Sequence, residues 1–300
     1  VKLPFHLEVI SFTDEEGNLV GLLGSQALTG QLRAEQLHSP RGGRQTLLDG
    51  MQRAGLSDDT MLSAGRDPKT LLGYIEVHIE QGTRLEQSGK QIGVVTSLVG
   101  MRDFWLRFSG AAAHAGTQPM PERRDALWGA TTFIEQARQL VMDEYAPGVC
   151  NVGHVQVQPG AFNIVPAEVA LAFELRHGTE ALMDAMQESL LTLAEQSADT
   201  HQLGFTYEMV NSEPSAQMDA EFMTAIERAT STLDLASERM MSFALHDAQV
   251  MSKAVPSAMY FVPSVAGISH NPREYTTPED CVNAANVMLH TILGIAEQQA

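Results

Sequence analysis

Polar and apolar positions alternate from Tyr74 to Glu80. Ile75, Val77 and Ile79 fall on one side and Tyr74, Glu76, His78 and Glu80 on the other. That period of two predicts a strand whose polar face carries potential ligands. A shorter run, Leu7-Glu8-Val9-Ile10-Ser11-Phe12, is rich in β-formers and predicts a buried strand running into Asp14-Glu15-Glu16-Gly17. Acids and a glycine turn at the end of a buried strand are where α/β enzymes place chemistry. From about 40 to 70 the chain reads as helix or loop, punctuated by Pro40, Gly42, Gly43 and Pro68.

The pattern changes from about residue 97. Phe104 to Phe108 reads as a strand, and Ala126, Leu127, Ala130, Phe133, Ile134, Ala137, Leu140 and Val141 then recur at helical spacing. Val152, Val155 and Val157 predict a second strand, and Val169, Leu171, Phe173 and Leu175 alternate strictly in a third. A helix over roughly 179–197 and a fourth strand at Phe205, Tyr207 and Met209 complete the order β-α-β-β-α-β. This is the split βαβ, or ferredoxin-like, arrangement. It occupies about 97–212 and reads as a domain inserted into another. A helix near 218–233, an apolar strand from Ala258 to Val262 and a closing helix from about 278 to 297 then rejoin the first part. The expected fold is therefore α/β: a catalytic domain from 1–96 and 213–300, with an inserted α+β lid over 97–212.

Composition narrows the function. With 300 residues and 44% hydrophobic content, the chain can bury a sizeable core. Its formal net charge of -18 repels phosphate backbones, which argues against a nucleic-acid partner. No run approaches the roughly 18 apolar residues of a membrane span. The start at Val1 lacks both an initiator methionine and the features of a signal peptide, which points to a trimmed chain. Cys150 and Cys281 are too few for a disulfide framework or a thiolate zinc site, and two free thiols suit the cytoplasm.

The candidate chemistry is spread along the chain. Adjacent Glu15 and Glu16 suit a division of labour in which one carboxylate binds a metal and the other moves protons as general base. Read alone, they fit a solvated acidic turn better. His78 lies on the polar strand face, His114 in the small-residue loop Ala113-His114-Ala115-Gly116-Thr117, and His270 in Gly267-Ile268-Ser269-His270-Asn271-Pro272. Each, alone, also reads as an ordinary surface or loop histidine. Asn163 follows Gly160 in a loop, and Arg176 lies on the less apolar face of the third lid strand. Arg176 is either a bidentate clamp for a substrate carboxylate or an ion pair with Glu174. His246-Asp247 is either a hydrogen-bonded pair behind a ligand or a helix start with an acid in its first turn.

As an ordered set, these segments are far more specific. Phe12-Thr13-Asp14-Glu15-Glu16-Gly17, Leu23-Gly24-Ser25 and His78-Ile79-Glu80-Gln81-Gly82 with Leu85-Glu86 come first. His114-Ala115-Gly116-Thr117, Pro119-Met120, Arg124-Asp125-Ala126, Phe162-Asn163-Ile164-Val165-Pro166 and Gly267-Ile268-Ser269-His270-Asn271-Pro272 follow. Together they resemble the carbamoylase and allantoate amidohydrolase branch of the di-zinc aminoacylase/carboxypeptidase superfamily, over nearly the whole chain.

The resemblance implies hydrolysis of a linear amide or ureido C–N bond in an N-carbamoyl-L-amino acid, with allantoate or an N-acyl amino acid as alternatives. It implies two divalent ions, zinc or else manganese, cobalt or nickel. Glu15 then matches the general base, Glu16 and His270 ligands of one metal, and His78 a ligand of the other. His114 matches the group that polarises the scissile carbonyl, and Asn163 and Arg176 the grip on a substrate carboxylate. The inserted domain matches a dimerisation domain, so a homodimer is expected, with His114 reaching into the partner's cleft.

Three departures accompany the likeness. The family's His-x-Asp motif and bridging Asp precede the part matched here, and no His-x-Asp occurs in the chain. This leads to the expectation that an N-terminal segment is lacking and metal is poorly held, and to a rival reading as a non-catalytic dimer. Phe243-Ala244-Leu245 replaces small residues before His246-Asp247-Ala248. Met101 stands where allantoate-cleaving members tend to have a polar contact, which favours an N-carbamoyl amino acid.

Overall fold

The computed structural model describes residues 2–299, which divide into two compact units: 2–98 with 216–299, and 99–215. Ten α-helices and nine strands are described, with short 3-10 turns between some of them.

The first unit opens with helices α1 (Leu23–Leu28), α2 (Ala34–His38), α3 (Arg44–Ala54) and α4 (Asp58–Leu62). Strand β1 (Tyr74–Ile79), helix α5 (Arg84–Ser88) and strand β2 (Ile92–Leu98) follow. The unit resumes with β7 (Ala216–Gln217), α8 (Ala220–Thr232), β8 (Ser237–Ser242), α9 (Asp247–Met251), β9 (Ser257–Val262) and α10 (Pro278–Gln298). Between these two stretches lie β3 (Gly100–Ser109), α6 (Ala126–Glu144), β4 (Val149–Gln158), β5 (Glu168–His177), α7 (Glu180–Thr200) and β6 (Gly204–Glu213), which form the second unit.

The first unit is built on a five-stranded mixed sheet in the order β1-β9-β2-β7, with β8 also paired to β2. β1 runs parallel to β9 and β2 parallel to β8, whereas β2 meets β9 and β7 antiparallel. Central strands covered on both faces read as continuous apolar runs. That is the character of β2 and β9, whose Val94, Val95, Tyr260 and Phe261 are buried. The Tyr260 hydroxyl donates to the Ala284 carbonyl at 2.7 Å and ties β9 to α10. A separate small cluster of Leu23, Leu37, Leu47 and Met51 holds α1, α2 and α3 together.

The second unit is a four-stranded antiparallel sheet, β4-β5-β3-β6, with α6 and α7 packed on it. Its element order is the split βαβ expected from the sequence. Phe104, Leu106 and Phe108 of β3 join Leu171 and Phe173 of β5 under Phe133 and Met186 of the helices. Alternation in the strands and the helical period in α6 and α7 thus bury one face each.

The expected strand at Leu7 to Phe12 does not form. The segment has no ladder partner among the described residues, and Val9 is 93% exposed. An apolar run gains little as a strand without a neighbour to hydrogen-bond and pack against. Among the described residues no helix is long and apolar enough to cross a membrane.

Candidate functional site

In the first unit, four segments bring titratable side chains together: the acidic loop before α1, the polar face of β1, the start of α9 and the turn after β9. The acidic loop is seated on α1, where the Gly24 N–H donates to the Thr13 carbonyl at 3.0 Å. A Cβ at Gly24 would lie 2.8 Å from the Thr13 nitrogen and the Phe12 ring, so only glycine allows this approach.

Glu16 and His270 meet, with Oε2 and Nε2 2.9 Å apart on an exposed rim. The turn leading to His270 is tied to Glu86, whose Oε2 accepts the Ala266 N–H at 3.0 Å, and the His270 N–H itself donates to Glu274 Oε2 at 3.2 Å. Gly267 presses against Gly82 there. This gives the Leu85-Glu86 and Gly82 portions of the sequence pattern a job: they shape the turn that carries His270. Glu80 caps α5 by accepting the Arg84 and Leu85 N–H groups, so it is structural. His78 Nδ1 sits 2.8 Å from the Ile79 carbonyl. Donation from Nδ1 leaves Nε2 as the available lone pair, as a metal ligand requires.

Deeper in, His246 is 1% exposed, and neither ring nitrogen has a hydrogen-bond partner among the described residues. Its Nδ1 lies 3.8 Å from Glu15 Oε1 and 3.9 Å from Glu76 Oε1, beyond hydrogen-bond length. Its ring packs on those of His78 and Phe261, with centroids 4.5 and 5.6 Å away. Burial, with His78 alongside, pushes its pKa down to about 3, so it stays neutral. Glu76 is anchored: Oε2 accepts the Tyr74 hydroxyl at 3.1 Å and the Ala248 N–H at 2.7 Å. Burial, then the Asp247 carboxylate, raises its pKa to about 8. Asp247 is bound by Ser25 of α1, and burial raises its pKa too. Burial, Glu16 and Asp247 together raise Glu15 to about 7. The sequence reading placed Glu76 on the polar face of its strand and gave it no role, because its partner at Ala248 is remote in the chain.

The second unit carries the other expected residues. His114 is exposed and bridges to Ile164, and the Ala115 N–H donates to the Asn163 carbonyl at 2.9 Å, so His114 and Asn163 are neighbours. His114 Nδ1 accepts the Gly116 and Thr117 N–H groups at 3.0 and 3.2 Å. In a neutral ring this puts the proton on Nε2, facing outward as a donor. Arg176 is paired bidentately with Glu174 at 2.8 and 3.1 Å. It does not join His114 and Asn163. They sit by the Ser109/Glu168 end of the sheet and Arg176 at the Gly100/His177 end. Eight residue steps along the strand, about 26 Å at roughly 3.3 Å each, separate Glu168 from Arg176.

Among the described residues no three His, Cys, Asp or Glu side chains converge as a metal shell. Glu16 and His270 supply two donors, and a catalytic zinc takes three from protein with water in the fourth position. The donors present therefore fit a partial shell and not a closed site.

An α/β unit with an acidic, histidine-lined rim and an inserted split βαβ unit is the architecture of a two-domain hydrolase. The chain belongs to peptidase family M20/M25/M40, whose model matches residues 1–294. Members of that family acting on amides are generally dinuclear metal enzymes. The chain is 34% identical to an N-carbamoyl-L-amino acid amidohydrolase of Geobacillus stearothermophilus, over 97% of this chain and 71% of that one. It is 28% identical to an allantoate amidohydrolase of Escherichia coli K12, over 98% and 72%. A hydantoinase/carbamoylase family amidase of Burkholderia multivorans superposes with a TM-score of 0.84 at 34% identity, covering 95% of this chain and 69% of its own.

Proposed function

We propose that the protein is an amidohydrolase that cleaves the ureido C–N bond of an N-carbamoyl-L-amino acid, releasing the amino acid, ammonia and carbon dioxide. The observation that carries this reading is Glu15: a half-buried carboxylate between the exposed Glu16–His270 pair and the buried His246. Glu15 takes a proton from the attacking water and returns it to the departing amine. His114 donates from Nε2 to the carbonyl oxygen, and Asn163 and Arg176 hold the substrate carboxylate. A divalent ion, where bound, polarises the carbonyl and acidifies water. Glu16, His270 and His78 are the donors this chain offers to such ions.

The separation of Arg176 from His114 and Asn163 along β5 far exceeds the span of a small amino acid derivative. One substrate can touch all three only if His114 and Asn163 come from a second copy, which supports a homodimer. Met101 lies directly across from Arg176 in the β3–β5 ladder. An apolar neighbour beside the carboxylate clamp suits an amino acid side chain better than the second ureido group of allantoate.

The test is a panel of N-carbamoyl-L-amino acids, allantoate and N-acetyl amino acids, with excess zinc supplied and products followed by chromatography. The carbamoyl amino acids should be turned over fastest. Preference for allantoate or acyl substrates would change the assignment.

The partial metal shell favours a second reading, in which the chain alone holds metal weakly and turns over little. Dialysis against a chelator-free buffer should then strip zinc and activity together. Retention of two tightly bound ions per chain, read by elemental analysis, would exclude it.

A further inference from the structure

We propose that Asp14 is a positioning residue whose carboxylate builds the loop that presents Glu15 and Glu16; this rests on the hydrolase reading above. Asp14 Oδ1 accepts the Leu19 N–H at 3.0 Å, and Oδ2 accepts those of Val20 and Gly21 at 2.7 and 2.9 Å. Three successive amides thus converge on one carboxylate, an anion nest closed by the chain's own side chain. Bonds to an ionised acceptor are the strong ones.

The backbone agrees. Asp14 has φ +59°, and Gly17, Gly21 and Leu22 also take positive φ. The loop folds back until the Leu22 N–H reaches the Glu15 carbonyl at 3.3 Å. Aspartate enters the left-handed region more readily than most residues, and its side chain here repays the conformation locally.

This sorts the three consecutive acids by work. A carboxylate offers about four lone-pair positions, and Asp14 turns its acceptors onto three backbone amides. Glu16 faces His270. Glu15, which follows Asp14 directly, is left for the proton, and the direction in which it leaves the backbone is set by Asp14.

Three variants separate the carboxylate from the backbone conformation. Asp14→Gly keeps the left-handed geometry and removes the acceptors, Asp14→Ala removes both, and Asp14→Asn keeps the geometry with one oxygen. Hydrogen exchange should show the amides of Leu19, Val20 and Gly21 losing protection by about tenfold or more in the Gly and Ala variants, and less in Asn. With zinc and an N-carbamoyl-L-amino acid, kcat should fall roughly 10- to 100-fold in Gly and Ala, with KM within about twofold and partial rescue by Asn. The melting temperature shows that each variant is folded.

Wild-type exchange in Asp14→Gly would overturn the proposal, because backbone conformation alone would then make the loop. Lost protection with unchanged kcat would overturn it too. If the wild-type protein turns over no carbamoyl, ureido or acyl substrate, it is the hydrolase reading that fails. A crystal structure of Asp14→Gly then decides the role of Asp14. Separation of Glu16 from His270 beyond about 4 Å supports it, and an intact pair overturns it.

Discussion

Glu15 and Glu16 are neighbours in sequence with opposite surroundings: Glu15 turns toward buried His246, and Glu16 toward exposed His270. Glu15→Gln should therefore lower kcat by roughly 10²–10⁴ while zinc uptake is unchanged. Glu16→Gln should lower zinc uptake as well, read by elemental analysis beside kinetics. Equal zinc loss in both variants would mean that the roles are wrongly divided. The acids were legible in the sequence because adjacency and a glycine turn mark them. The work of Asp14 was not, since three amides five to seven residues on define it.

His177 supplies a prediction of another kind. Its ring is 3% exposed, Nε2 has no hydrogen-bond partner among the described residues, and burial lowers its pKa. The folded form thus resists protonation that the unfolded chain accepts near pH 6.5. Its contribution is lost as pH falls below that value toward the depressed folded pKa. In urea titrations from pH 7.5 down to 5.5, wild type should lose stability more steeply than His177→Leu. Parallel slopes would contradict this.

At the scale of elements, β1 and α9 are joined through Glu76 and the Ala248 N–H. Glu76→Ala leaves that buried donor unpaired and should cost about 1–3 kcal/mol. Glu76→Gln keeps an acceptor in place and should cost much less, measured by chemical denaturation. Equal losses would show that packing, and not the hydrogen bond, joins the elements.

The sequence exposed α6 and β5 because each buries one face and so keeps a clean period, and β1 because its residues alternate in polarity although none of them is fully buried. It did not expose β2, whose Ile92-Gly93-Val94-Val95 run is buried on both faces and has no alternation to read. The opposite error fell at Leu7 to Phe12, where β-formers alone suggested a strand and no neighbour among the described residues pairs with them. Strand propensity measures fit to a partner, and partners are set by the rest of the fold.

At the scale of the molecule, the split βαβ order of the second unit was readable from residues alone, because its elements are consecutive and each is amphipathic. The first unit was less so: β1 pairs with β9, from the far end of the chain. Which residues share a site was the least legible. His114, Asn163 and Arg176 all belong to the inserted unit, yet the sheet holds Arg176 apart from the other two. The proposed function, in which all three touch one substrate, therefore calls for two copies.

One measurement tests hydrolysis, the role of Glu15 and the shared site together. Glu15→Gln and His114→Ala proteins, each inactive alone, are mixed with excess zinc, and subunit exchange is verified by native mass spectrometry. Ammonia released from an N-carbamoyl-L-amino acid is then measured. A heterodimer contains one site with both Glu15 and His114 intact, and random exchange makes half the dimers hetero. The account predicts recovery of roughly a quarter of wild-type activity. Verified exchange with no recovery, beside an active wild-type control, would contradict it.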